Sequence, residues 1–286
     1  MTLTTAGLTR RPGLRRPARR IRLVAELGKG AVARFGVLAL LLLVWQGAAS
    51  GAGDLFFPPP TAIFHRIHAD WFSGPATHLF VTTAFLSDVA PSMGRMLAGW
   101  LLGSLIGAAV GVLAGTVRTA RQIIDPPAQF LRALPTPAVV PVFLLLFGAS
   151  TGMRVTLIAF GCVWPVLLNT MTAAASIDPR LQLGAWALHL SRWRRLVQVV
   201  LPSSAPAVAA GMRIGLALAL ILMVLSEWVV ATSGLGFSLI TAQQHFDMTG
   251  MWAAMVLLAV AGYLVNTVFL TVESRLLRWH KGVRGK

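Results

Sequence analysis

The sequence predicts an all-α membrane protein with six transmembrane helices and both termini in the cytoplasm, and three observations carry that expectation. Composition is the first: of 286 residues, 56% are hydrophobic and 12% charged, with a mean hydropathy of +0.73, whereas soluble domains carry about 25% charged residues. The second is a set of continuously apolar runs. A crossing needs roughly 20 such residues, which places spans at about 34–51, 93–117, 134–149, 154–176, 209–231 and 251–273. Period-two alternation, the mark of a membrane β-barrel, is missing from these runs. The third is where basic residues fall. Nine of the 25 lie between Arg10 and Arg34 and five between Arg275 and Lys286. Most others sit in the second connection (Arg118, Arg121, Arg132) or the fourth (Arg180, Arg192, Arg194, Arg195). Lys and Arg collect on the cytoplasmic side, so those connections and both termini are assigned there. The net charge of +16 then reads as topology and contact with anionic lipid. Nucleic acid is not expected as a partner, because the first 34 residues hold no aromatic side chain for a base to stack on.

Along the chain, residues 1–30 form a basic, Arg- and Pro-rich tail with too little apolar surface to fold, and residues 31–286 form one membrane domain. The apolar stretch Val37–Val44 followed by Ala48, Ala49 and Ser50 mimics a secretory signal, but its removal would leave five spans and put one terminus on the wrong side. Three consecutive prolines make Leu55–Pro60 an extended turn. Ile63, Phe64, Ile67 and Trp71 then recur at three- and four-residue spacing, as in a short amphipathic helix on the outer surface. His65, His68 and His78 gather there without the cysteines or carboxylates that complete a zinc site, so no metal is expected.

In the second span Gly99, Gly103, Gly107, Gly111 and Gly115 repeat every four residues. Such residues stack on one helix face and leave a stripe that a neighbouring helix can approach closely. The span is therefore expected at the centre of the bundle or at a subunit contact. The third span opens on Pro135, Pro137 and Pro141. Irregular backbone at membrane depth needs protein cover or a cavity, so the segment reads either as an interrupted start beside a translocation path or as a kinked span. Cys162, the sole cysteine, is in mid-span and is read as packing.

Glu227 lies inside the fifth span, where exposure to lipid costs about 3 kcal/mol. Arg213 is 14 positions earlier, about 21 Å along a helix, and cannot reach it. Arg95 and Arg154, at the outer ends of the second and fourth spans, are the expected partners. The role read for Glu227 is a structural ion pair or gate rather than direct solute contact. Trp228, Phe237 and Trp252 read as an interfacial aromatic belt, and His245 and Asp247 as solvated loop residues.

The connection Ile177–Pro202 carries more order than topology requires. Asp178 suits an N-cap and Pro179 the first helical position, giving a helix to about Leu190. Ser191 caps a second, from Arg192 to about Leu201, which Pro202 ends. A capped hairpin over 178–202 is expected to dock a soluble partner. Its pattern DPRLxxxAxxLxxSRWxxxxxVVLPxxxP resembles the EAA loop of ABC-importer permeases. The resemblance is to the nitrate/sulfonate/taurine type and extends over roughly residues 80–280, through SMGRMLAGW at 92–100, DP at 125–126, ALPTPAVVPVFLLLFG at 133–148 and SGLGFSLITAQQ at 233–244.

This resemblance implies a type I importer in a bacterial inner membrane. Two permease subunits, here expected as a homodimer, form the pore. Each hairpin sits in a cleft of one of two ATP-binding subunits, which hold ATP and Mg²⁺, and a periplasmic binding protein delivers the solute. The coupling residues are then Asp178, Pro179, Arg180, Leu183, Ala185, His189, Ser191, Arg192, Trp193, Leu201 and Pro202. Leu183 stands where the family has glutamate and His189 where it has glycine, the residue favoured at positive φ. These departures point to a dedicated ATPase with a matching groove. The chain shows no phosphate-cradling G-x-x-x-x-G-K-[ST] and no paired-carboxylate or triad constellation. It is expected to bind no cofactor and to be no enzyme. The implied solute is a small anion such as an alkanesulfonate, taurine or nitrate, although related permeases also serve vitamin precursors. The competing class, an ion-coupled carrier, would show more ionisable residues at mid-bilayer and paired repeats.

Overall fold

The computed structural model describes residues 36–51, 56–75 and 80–278. The tail 1–30, His78 and the basic residues Lys281, Arg284 and Lys286 lie outside the described residues. The chain divides into two compact units, Met1–Thr61 and Ala62–Lys286; the boundary expected at residue 30 lies outside the described residues. In the first unit, α1 (Gly36–Gly51) is apolar but shorter than 18 residues, and Gln46 Oε1 accepts from the Thr61 N–H at 3.2 Å. Helix α2 (Pro60–Trp71) starts on the last of the three prolines, at a position where no backbone donor is required.

Four helices of the second unit are long and apolar enough to cross a membrane: Phe85–Thr116, Thr151–Ala175, Arg192–Val229 and Met248–Leu276. They match the second, fourth, fifth and sixth expected spans and are longer than the apolar runs indicate. The third expected span is different. Helix α4 (Arg118–Ala133) and helix α5 (Thr136–Phe147) meet at a bend of 101°. Pro135 has no N–H and pushes Leu134 into extended backbone, ψ 126°. Pro137 fits the first turn of α5, while Pro141 lies inside it. At 12 residues, α5 is too short to cross alone, so 134–149 is not a regular span; α4 and α5 form one broken pair.

The core is built on the glycine stripe. Helix α3 (Ala90–Thr116) continues a π-helical turn, Phe85–Val89, and packs on α6 (Thr151–Ala175). A Cβ added at Gly99, Gly103, Gly107, Gly111 or Gly115 would lie 2.5–2.8 Å from the carbonyl oxygen of Val155, Ala159, Val163, Leu167 or Met171 respectively. Both series step by four and rise together, so the two helices run parallel, with a ridge of α6 seated in the glycine groove of α3 and the backbones touching. The stripe is therefore used centrally within the chain. Helix α9 (Leu201–Val230) completes the core. Its Leu216, Ala219, Leu222 and Met223 cluster with Met96 and Trp100 of α3 and Ile158 and Cys162 of α6. Trp100 Nε1 donates to Met212 O at 2.9 Å, which satisfies its polar edge. Helices α10 (Leu235–Gln244) and α11 (Met248–Leu276) follow, and an Arg213–Glu273 ion pair ties α11 to α9.

Candidate functional site

The hairpin forms one end of the bundle. Helix α7 (Pro179–Ala187) is capped by Asp178, whose Oδ1 accepts from the Arg180 N–H at 2.8 Å. Helix α8 (Arg192–Arg195) is capped by Ser191, whose Oγ accepts from the Arg194 N–H at 3.4 Å. Between them His189 takes φ 47°, in the left-handed region. Arg195 Nη2 donates to Gln182 Oε1 at 3.4 Å and ties the two arms together. Ala185 is buried, whereas Leu183, Trp186, Leu188 and Trp193 are 69–75% exposed. This apolar surface at the tip includes Leu188, a fixed position of the hairpin pattern, and Trp186, which the pattern does not include.

The second arm does not end at Pro202. Helix α8 passes through a π-helical turn, Leu196–Val200, directly into α9, with the Leu201 N–H donating to Leu196 O. Pro202 occupies the first turn of α9. The wider π turn just before it absorbs the missing donor and the ring's bulk, so docking arm and span form one helical run, Arg192–Val229.

At the opposite end Glu227 is fully buried. Its Oε1 accepts from Ser92 Oγ at 2.6 Å and Arg95 Nη2 at 2.6 Å, and its Oε2 from the Gly236 N–H at 2.9 Å. Three donors, one of them cationic, offset the desolvation of the carboxylate. Gly234 adopts φ 127°, and a Cβ there would lie 2.5 Å from Glu227 Oε2, so only glycine lets the chain turn over the carboxylate. The Leu235 N–H donates to Ser92 Oγ at 3.1 Å; Asp88 accepts from the Gly234 N–H at 3.3 Å and from Ser238 Oγ at 3.1 Å. The cluster thus clamps the ends of α3 and α9 to the turn before α10. Arg154 is buried nearby, in electrostatic reach of Arg95 and Glu227. It makes no ion pair within 4 Å among the described residues, and its Nε has no partner. Sequence reasoning missed Ser92, Asp88 and Gly236; the closely spaced glycines 234 and 236 were the available signal.

Asp247 is not merely solvated. It caps α11, accepting from the Gly250 N–H at 2.9 Å, and pairs with Arg66 at 2.9 Å. Pro135, Pro137 and Pro141 shape the α4–α5 bend, and none of them lines the 250 Å³ cavity that the bend overhangs. Among the described residues no group of His, Cys, Asp or Glu is placed to hold a metal.

Residues 103–278 match the family described as binding-protein-dependent transport system inner membrane component. The taurine transport system permease protein TauC of Escherichia coli is 28% identical over 93% of this chain and 96% of its own length. A Bacillus subtilis protein named for aliphatic sulfonates transport, SsuC, is 28% identical over 86% of this chain and 87% of its own. The nitrate import permease protein NrtB of Synechocystis is 24% identical over 96% and 97%. Among solved structures, an inward-facing MetNI methionine ABC transporter chain superposes with a TM-score of 0.54 at 19% identity, covering 66% of this chain and 92% of that one. With this match over residues 103–278 and relatives aligned over 86–96% of its length, the chain belongs to the binding-protein-dependent transport system inner membrane component family and is a membrane permease subunit of an ABC importer.

Proposed function

We propose that two copies of this chain form the pore of a bacterial inner-membrane importer for a small anion of the sulfonate, taurine or nitrate kind. Relatives named for those solutes support the class. The observation that carries the reading is the capped hairpin with its exposed apolar tip, fused through Leu196–Val200 to α9. The tip docks in a separate ATP-binding subunit, two copies per importer, and that subunit holds ATP and Mg²⁺; this chain has no ATPase site of its own. Leu183 and His189 in place of glutamate and glycine fit a dedicated ATPase. Counting α1 and the broken α4–α5 pair gives six crossings with cytoplasmic termini, in keeping with the basic residues at both ends. A periplasmic binding protein delivers solute to the face bearing α2 and the 245–250 turn. The Glu227–Arg95 cluster acts there as a latch, since a carboxylate facing an anionic solute would repel it.

Reconstitution tests this. The chain, its ATPase and its binding protein in proteoliposomes should take up labelled taurine or methanesulfonate only with ATP, and W186E/L188E should uncouple hydrolysis from uptake. Uptake that an uncoupler abolishes and that persists without any ATPase would refute the proposal in favour of an ion-coupled carrier.

A further inference from the structure

Two cavities on the hairpin side of the α4–α5 bend share Arg132, Leu168 and Asn169 and so form one track. The outer one, 560 Å³, is polar: Arg121, Asp125, Gln129 and Arg132 descend one face of α4 opposite Asn169, Thr172 and Ser176. The inner one, 250 Å³, runs up past Leu134 and Thr136 to Phe160 and Trp164. Its far wall is aromatic, with Trp164 edge-on to Phe160 at 5.3 Å and Phe160 against Phe143 at 5.5 Å.

The cations of this track, Arg121 and Arg132, are exposed side chains without a carboxylate partner within 4 Å among the described residues, whose ion pairs are made by Arg66, Arg95 and Arg213. Asp125 is the acidic lining residue and already accepts from Gln129 Nε2 at 3.3 Å. Trp164 Nε1 is enclosed and has no acceptor, an unfavourable state for a buried donor. Asn169 Nδ2 donates once, to Pro165 O at 2.7 Å, leaving its second N–H. Among the described residues the remaining carboxylates, Asp70, Asp88, Asp178, Glu227, Asp247 and Glu273, are each engaged elsewhere.

Unpaired cations, unpaired N–H donors and an apolar aromatic wall match one kind of ligand: an oxyanion head on a short alkyl body. We propose that the cavity under the α4–α5 bend is a solute subsite, in which Arg132 supplies the charge, the Trp164 and Asn169 N–H groups complete the oxyanion cradle, and Phe160 packs on the alkyl part. This rests on the importer role proposed above and adds to it the residues that select an anion. A lipid phosphate offers the same oxyanion chemistry, and the test separates the two sources.

The permease–ATPase complex, in nanodiscs of uncharged phosphatidylcholine, is titrated with methanesulfonate, nitrate and the neutral dimethyl sulfone while thermal stability is followed. The two anions should give a saturable stabilisation and the sulfone none. R132Q should weaken methanesulfonate about 10-fold or more, as for a lost hydrogen bond between charged groups. W164F keeps the ring, drops the N–H and should weaken it about 5-fold; it decides alone if R132Q does not assemble. R118Q, the same charge change on α4 away from the cavity, should bind as wild type. Three results would overturn the subsite: no anion-dependent shift in the wild type, binding that neither R132Q nor W164F alters, or binding competed away when the discs contain phosphatidylglycerol. ATP-driven uptake by the wild type is measured alongside. Uptake intact with binding insensitive to both variants sinks the subsite and leaves the importer standing; no uptake sinks the importer reading itself.

Discussion

Replacing Gly107 by Ala tests the backbone contact between α3 and α6. The new methyl would lie 2.6 Å from Val163 O and 3.0 Å from Val166 Cβ, where ordinary contact begins at 3.4 Å. The helices must therefore part locally by about 0.8 Å, and close-packed interiors resist such a shift. Overpacking costs about 1–3 kcal/mol, while exchanging glycine for alanine within a helix returns roughly 0.5–1 kcal/mol. The net expectation is a loss of about 1–2 kcal/mol. Gly94 is the internal control, because it lies on the same helix with nothing within 4 Å of its added Cβ. G94A should keep only the propensity gain and stabilise the protein. Unfolding of the purified complex, by heat or by titration with denaturing detergent, reads both variants. If G107A and G94A shift stability in the same direction and by the same amount, the stripe is not a packed seam and the account of the core is wrong.

Other perturbations probe the two ends. E227Q turns one acceptor into a donor facing either Arg95 or the Gly236 N–H; the melting temperature should fall by the equivalent of about 3 kcal/mol, as for a broken buried pair. R95Q should cost a similar amount, and the double variant should cost clearly less than the two combined. G234A, strained at φ 127° and driven into the Glu227 carboxylate, should destabilise by more than about 1 kcal/mol, measured in the same assay. D178A removes the α7 cap at a cost of about 1 kcal/mol, seen as faster amide hydrogen exchange over Pro179–Ala187 and as weaker coupling of ATP hydrolysis to uptake. Cys162, fully buried with Sγ against Gly215 O at 3.2 Å, should react with maleimide only after unfolding.

Much of the fold is legible in the sequence because apolarity decides what crosses a membrane, and four long helices follow the apolar runs. The third run is as apolar as the others, but the bend at Leu134–Pro135 depends on backbone geometry that hydropathy does not carry. Pro202 misled for the opposite reason: a proline usually ends a helix, and here a π turn lets the helix pass through it. For Glu227, position along the bundle was enough to point to Arg95. Ser92 and Gly236 stand in recognisable motifs, but a hydroxyl 135 residues away and a backbone N–H are not paired with Glu227 by a one-dimensional reading. Asp247 caps α11 locally, but its ion pair with Arg66 exists only because α2 and the start of α11 are brought together.

The passage of the docking arm into α9 without interruption makes the two ends of the molecule parts of one rod. The run Arg192–Val229 has 38 residues, which at 1.5 Å per residue is about 57 Å, so a tilt of about 3° at the docked end carries the far end through about 3 Å. That displacement exceeds the 2.6 Å separating Arg95 from Glu227. A movement of the partner too small to rearrange its own interface would be enough to pull the carboxylate from its guanidinium. The π turn at Leu196–Val200 is the weak point of the rod: stiffening it should transmit more of each stroke, and softening it should let the ATPase cycle while the far end stays still.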